Sequence, residues 1–457
     1  MASKTKLARQ AQAKKSSNIY LKLWSIPLLA LLVKFIVISN IPGHYWLGAD
    51  GENYVNGLQA LLKDGIFSTE HLLSYWPAGY PLFLKVLGIF SVSNTLVIAV
   101  VVQSAIYAGA SGYFVAQLSA TKLSKYCFPV ALILALNPTL SLNTIAIGYE
   151  TTSAAIFIIV IGLMITEYSK GVSCLLSWRS LLAAGLLSFS SFIQPRFIAS
   201  SLVLFLIWGA TTRKKKIIPA FLLITFAVTA ILPAGLILRN VKANNFAVIS
   251  TNLGVTMNLG AGPGATGAYI KEGYGVPCDP ITGNEAVQDS HLRNCVIAWY
   301  AKNPVKAIQL FYNKARFFWS PWSGPAASGS MARNPWLKIS PLASIATSSQ
   351  DGNNLVFGTF GKLVSYLWMI ALILLMGLGF HTLFVAGGLA RIIGIASFSV
   401  AVINWLISVG TLGDHRQRLP IMTLSLFLQV IGIVRIVGGK KYRIIKESAV
   451  IKDQTKL

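Results

Sequence analysis

In a chain of 457 residues with only 14 Asp and Glu, a few ionisable side chains stand at the edges of long apolar runs. Asp50 and Glu52 lie in WLGADGENYVNGLQALL, Glu150 in GYETTS, Arg196 in IQPRF, Arg239 in LILRN, and Asp414, Arg416 and Arg418 in GDHRQRLP. A solvated loop charge explains most such residues taken singly. Gathered at the ends of packed helices beside lipid, carboxylates and guanidiniums can hold an anionic lipid head group. The planar fork of Arg suits phosphate oxygens because it binds two at once. A carboxylate among them can take a proton from a hydroxyl while the cations stabilise charge on a departing phosphate. One carboxylate suffices for a single inverting displacement, whereas retention needs a second about 5 Å away. Asp50 and Glu52 share a face in an extended segment and diverge in a helix, so spacing alone leaves both the base and the stereochemistry open.

The elements that must position these groups are membrane spans. The chain is 54% hydrophobic and 12% charged, about half the charged fraction of soluble domains, with a mean hydropathy of +0.63. Its net charge of +25 could suggest nucleic acid, but Lys and Arg concentrate in short clusters between apolar runs, the pattern that orients spans in a bilayer. Runs of spanning length fall at 23–41, 95–119, 127–145, 152–168, 180–195, 197–212, 217–238, 363–382, 392–410 and 419–437. These predict an all-α polytopic membrane protein of about ten transmembrane helices with amphipathic juxtamembrane helices and an external cap. The basic tail of residues 1–22 and the absence of a small-x-small cleavage site make the first run an uncleaved signal anchor.

Residues 80–92, YPLFLKVLGIFSV, decide the sidedness. With this stretch on the surface, the clusters at Lys122/Lys125, Lys170/Arg179, 213–216 and 440–443 all fall beside the basic N-terminus, in the cytoplasm; counted as a span, it puts them all outside. The surface placement is therefore expected. It gives a cytoplasmic tail (1–22), a membrane module (23–239) with an external loop at 42–94, an external cap (240–362), C-terminal spans (363–438) and a second cytoplasmic tail (439–457). The ionisable residues named above then share the external, or periplasmic, face of the inner or plasma membrane.

Five stretches, in this order, resemble the polyprenyl-phosphate-sugar-dependent membrane glycosyltransferases of the GT-C superfamily, close in layout to protein O-mannosyltransferases and lipid A aminoarabinose transferases. They are ADGENYVNGLQALLKDG, WPAGYPLFL, GYE, RNVKANNFAVISTNLGVTMNLGAGPGATGAY and DHRQRLP. The resemblance covers roughly residues 20–437. It implies Asp50 as catalytic base, Glu150 as a second acid near the acceptor or a metal, and Arg196, Arg239, Arg416 and Arg418 as ligands of the donor phosphate. Gly51 separates acids that are adjacent in many relatives, which keeps Glu52 as the other choice of base. Tyr75 and Trp76 stand where the aminoarabinose branch has Glu-Lys, and Thr151 where Pro is common. The resemblance implies a polyprenyl-phosphate sugar as donor, with protein, glycolipid or polysaccharide hydroxyls open as acceptors; it leaves a divalent metal ion open.

Other features fit plainer roles. GAGPGATG (260–267) lacks a strand, a following helix and a Gly-Lys-Ser/Thr, so it reads as a turn-rich lid, with a phosphate-cradling nest as the alternative. The aromatic stretch at 311–325 suits an interfacial belt. The five His residues show no metal-ligand spacing. Cys278 and Cys295 can bridge if their segment faces an oxidising compartment, or remain two thiols. Two other functions stay in view: an O-antigen ligase or polymerase, resting on loop residues such as Arg293 and His291, and a flippase for lipid-linked sugars.

Overall fold

The computed structural model describes residues 25–169, 176–211, 215–268, 275–320 and 358–438. Both basic tails, residues 321–357 of the cap, and Lys170, Cys174, Arg213 and Lys214 lie outside these. The described residues form an all-helical bundle, and each of the ten apolar runs meets a helix. Six helical stretches are long and apolar enough to cross a membrane: α5 (Thr95–Ser119), α8 (Glu150–Ser169), Lys215–Asn244 containing α11 (Ile218–Asn244), Tyr366–Ala386 within α15 (Gly358–Ala386), α16 (Gly388–Gly410), and His415–Val437 containing α17 (Met422–Val437). Three further runs are shorter apolar helices: α1 (Ser25–Ser39), α9 (Trp178–Ile193) and α10 (Phe197–Ala210). The chain is a multi-pass membrane protein.

The remaining run, 127–145, is broken rather than straight. The helix α6 (Cys127–Leu136) ends where Pro138 begins α7 (Pro138–Ser141), and the two halves bend by 58°. Proline offers no N–H and pushes the residue before it out of the helical region; Asn137 sits at ψ 116°. The Asn137 carboxamide accepts the Leu140 N–H at 2.9 Å and starts the new turn. Counted as one span, this pair makes a seventh crossing.

At the centre of the bundle lies α8, with 83% of its most apolar window buried, against 22% for Tyr366–Ala386 at the edge. It packs along α5 and α9, while α15 packs along α17. A set of shorter helices lies over one end of this bundle. In α2 (Gly48–Asp64), Tyr54, Leu58 and Leu61 recur at helical spacing and are buried, while Glu52 and Lys63 are exposed. Residues 80–92 do not form a span: α4 (Gly79–Leu87) is nine residues long, buries Tyr80, Leu84 and Leu87, and is followed by exposed Ile89, Phe90 and Val92. Short α3 (Leu72–Tyr75) joins α2 to α4. The described cap comprises α12 (Leu253–Leu259), α13 (Glu285–Lys302) and α14 (Pro304–Trp319). Cys278 and Cys295 are joined by a disulfide that ties the segment before α13 to its middle.

Candidate active site

Two backbone segments a hundred residues apart set the frame. Trp46 and Ala146 form a parallel bridge, with the Trp46 N–H donating to Ile145 O at 2.9 Å and the Ile147 N–H donating to Trp46 O at 2.7 Å. Each bridge residue stands four before an acid, Asp50 in the first turn of α2 and Glu150 in the first turn of α8. Both carboxylates therefore occupy the positively polarised end of a helix. The contact also explains Gly51: a Cβ there would meet Leu47 Cβ at 3.2 Å and the Ile147 carbonyl at 3.4 Å.

Arg416 reaches this frame from the other end of the chain. Its Nε donates to Glu150 Oε1 at 2.9 Å and its Nη2 pairs with Asp50 Oδ2. All three side chains are largely enclosed, with Glu150 fully buried. The 3-10 segment His415–Ile421 presents Arg416, and the Asp414 side chain caps it by accepting the Arg416 N–H at 2.9 Å. One guanidinium thus bridges two carboxylates through charge-assisted hydrogen bonds. Because α2 is helical, Glu52 diverges from Asp50 and is exposed, so it takes no part in this cluster.

The other Arg residues divide. Arg196, at the start of α10, lies with its guanidinium 5.6 Å from the Tyr149 ring centre and donates Nη2 to Gln417 O at 3.3 Å; its buried Nε has no hydrogen-bond partner among the described residues. Arg418 is buried, donates to Trp319 O at 2.7 Å and lies over the Trp319 ring. Arg239 does not join the cluster. Its guanidinium is taken up by the carbonyls of Ile66, Ser68 and Leu73 and by Asn240 Oδ1, which staples the loop after α2 to α11. Four acceptors on one fork leave little for a phosphate.

Around the acids lies an aromatic shell whose mutual contacts the sequence did not predict. Tyr54, one turn after Asp50, packs against Tyr80 at 4.8 Å and Trp76 at 6.4 Å. Burial, with Tyr149, Asp50 and Glu150 adding to it and Arg416 opposing, holds the Tyr54 phenol well above its ordinary value, so it stays protonated. Tyr80 donates to Gln103 Oε1 at 2.8 Å and accepts the Gly148 N–H at 2.9 Å, fixing the backbone just before Glu150. The sequence signal was present in WPAGYP and GYE, but nothing in either predicts that they touch. Among the described residues no three His, Cys, Asp or Glu side chains converge; two acids bridged by a guanidinium form a poor donor set for a divalent ion. His291 donates through Nε2 to Asp279 O at 2.9 Å and Arg293 donates to Ser290 Oγ at 3.1 Å; His291 and Arg293 both lie on α13.

No model of a known protein family matches the chain, and no curated protein matches it significantly. Solved structures overlay it loosely. The oligosaccharyltransferase AglB of Archaeoglobus fulgidus, in complex with an inhibitory peptide and a dolichol-phosphate, is 12% identical with a TM-score of 0.45. The apo form of the oligosaccharyltransferase from the same organism is 12% identical at 0.49, and a form tethered to an acceptor peptide is 11% identical at 0.48. Each overlay covers 91% of this chain and 50% of the other, so the chain spans about half the length of the structures it matches. Overlays this loose carry nothing about activity.

Proposed function

We propose that this chain is a membrane glycosyltransferase that moves a sugar, with inversion, from a polyprenyl-phosphate donor to an acceptor hydroxyl at the external face of the membrane. The observation that carries the proposal is the Asp50–Arg416–Glu150 bridge, assembled from three distant parts of a membrane-embedded chain. In this reading Asp50, paired with Arg416, takes the acceptor proton. Glu150 holds the other end of Arg416 and orients it. As the sugar leaves, charge grows on the donor phosphate; Arg196 lies beside Tyr149 with a free Nε donor, and Arg416 is the nearest bidentate fork to the acids. Arg418 belongs to the same 3-10 segment as Arg416.

Two further features support this reading. The motif order resembles that of GT-C enzymes, and the Lys122/Lys125 and Lys215/Lys216 clusters lie at the helix ends away from Asp50 in the charge-based topology, which makes the termini cytoplasmic. The acceptor approaches beneath the 240–362 cap.

The test uses full-length protein in lipid with a polyprenyl-phosphate sugar and a hydroxyl acceptor. Asp50→Asn is expected to lower transfer by about 10²- to 10⁴-fold, while Glu52→Gln stays within about twofold, as expected for an exposed charge that touches no reacting group. Unchanged turnover in Asp50→Asn would remove it as the base. Substrate movement across the bilayer without a new glycosidic bond would instead identify a flippase.

A further inference from the structure

Lys314 is a buried cation that the proposed reaction does not use. It projects from the inner face of the external helix α14 and is fully enclosed. Its Nζ donates to the Tyr300 hydroxyl of α13 at 2.8 Å and to the Thr411 carbonyl at 2.6 Å. Thr411 ends α16, and the strap Thr411–Asp414 leads directly into the 3-10 segment that carries Arg416.

The strap is held elsewhere by the same external elements. The Gly413 N–H donates to Gly267 O at 2.9 Å, and Asn313 of α14 donates to Thr266 O at 3.0 Å, so the glycine-rich loop is clamped between helix and strap. The packing leaves no room for slack. A Cβ on Gly413 would come within 2.5 Å of Lys314 Cα, and one on Gly260 within 2.5 Å of the Thr411 carbonyl oxygen and 3.1 Å of Lys314 Nζ. Past the strap, α14 meets the Arg segment again where Trp319 O accepts from Arg418 at 2.7 Å, and its Ala315 O accepts from Trp405 Nε1 at 3.0 Å.

We propose that Lys314 is a positioning residue: by holding the Thr411 carbonyl against α13 and α14, it fixes the strap and thereby the placement of Arg416 between Asp50 and Glu150. The glycine-rich loop at 260–267 is the other jaw of this clamp, which gives it a mechanical role in place of a nucleotide-binding one. The catalytic consequence rests on the glycosyltransferase reading; the clamp itself does not.

Its titration provides a signature. Burial brings the Lys314 ammonium down from 10.5 to about 7. The ionisable groups near it are Tyr300 on α13, raised by burial to about 12, Arg316 on α14 with its partner Tyr366 on α15, and Asp414 and His415 beyond the strap; the 260–267 loop contributes none. A neutral amine has two N–H donors, and two acceptors are in place. When the strap opens, Nζ meets water and regains its ordinary value, so the open form binds more protons between about pH 7 and 10.5. Strap closure therefore strengthens as pH rises above about 7 and is independent of pH below it.

Hydrogen exchange of the full-length protein in lipid nanodiscs, without substrate, tests this. After correction for intrinsic exchange, protection at Leu412 and Gly413 is expected to rise between pH 7 and 9 in the wild-type protein. Lys314→Met, which removes both donors, is expected to lower that protection at least tenfold and abolish its pH dependence, while residues 95–119 and 150–168 stay protected as a folding control. Tyr300→Phe removes one partner only and is expected to retain the pH dependence with reduced protection. Strap protection that is equal in Lys314→Met and wild type, or a pH dependence that survives in Lys314→Met, would overturn the proposal. Because no substrate is present, these outcomes stand apart from any finding that transfer does not occur.

Discussion

At the scale of single residues, Arg416 carries the most consequence because two carboxylates depend on it. Removing one partner of a buried ion pair costs about 3–5 kcal/mol, most of it from the charge left behind. Arg416→Met is therefore expected to destabilise the protein by about that much, and Asp50→Asn with Arg416→Met by less than the sum, since the pair is already broken. Arg416→Lys keeps a positive charge but offers one centre in place of a fork, so it restores only part of the loss. Thermal unfolding of the purified protein in one detergent ranks the four forms. The sequence displayed each of these residues yet left Asp50 and Glu52 undecided. Only the helical conformation of α2 separates them, and a helix that opens GADGEN, with glycines at 48 and 51, is a weak signal. Arg239 shows the same limit: the resemblance implied a phosphate ligand, and the structure occupies its guanidinium with loop carbonyls whose fold no periodicity predicts.

At the scale of elements, the apolar runs were legible because a span must satisfy its backbone internally and so advertises itself by length. Residues 80–92 were legible through charge, not hydropathy. The bend at Pro138 was visible as a residue but not as a 58° break, since prolines are also tolerated within spans. The Trp46–Ala146 bridge was not legible at all, because it joins two aperiodic stretches. A second clasp was equally hidden: Glu285, opening α13, accepts from Ser74 at 2.7 Å and from Thr251 at 3.1 Å, and pairs with His71 at 2.8 Å. Burial pushes the Glu285 carboxyl up, but the hydrogen bonds from Ser74, His71 and Thr251 outweigh it and set the group below its ordinary 4.5. Stability from this clasp is accordingly full above about pH 4.5 and lost as pH falls through the lowered value. Exchange at the start of α13 is expected to rise on acidification below that point, and Glu285→Gln is expected to remove the dependence.

At the scale of the whole molecule, the prediction is sidedness. Cysteines introduced at Lys122 or Lys216 should react with a membrane-impermeant thiol reagent only from the cytoplasmic side, and one at Glu52 only from outside. Labelling of Lys216→Cys from outside would invert the topology and detach the proposed reaction from its compartment.

The bridge of Asp50, Arg416 and Glu150 also sets a timetable. Arg416 follows Glu150 by 266 residues, so a chain made at ordinary translation speed leaves the two acids without their shared cation for on the order of 10 to 50 s. The 3-10 segment that carries Arg416 then supplies that cation, so a late part of the chain completes a site framed by two early ones.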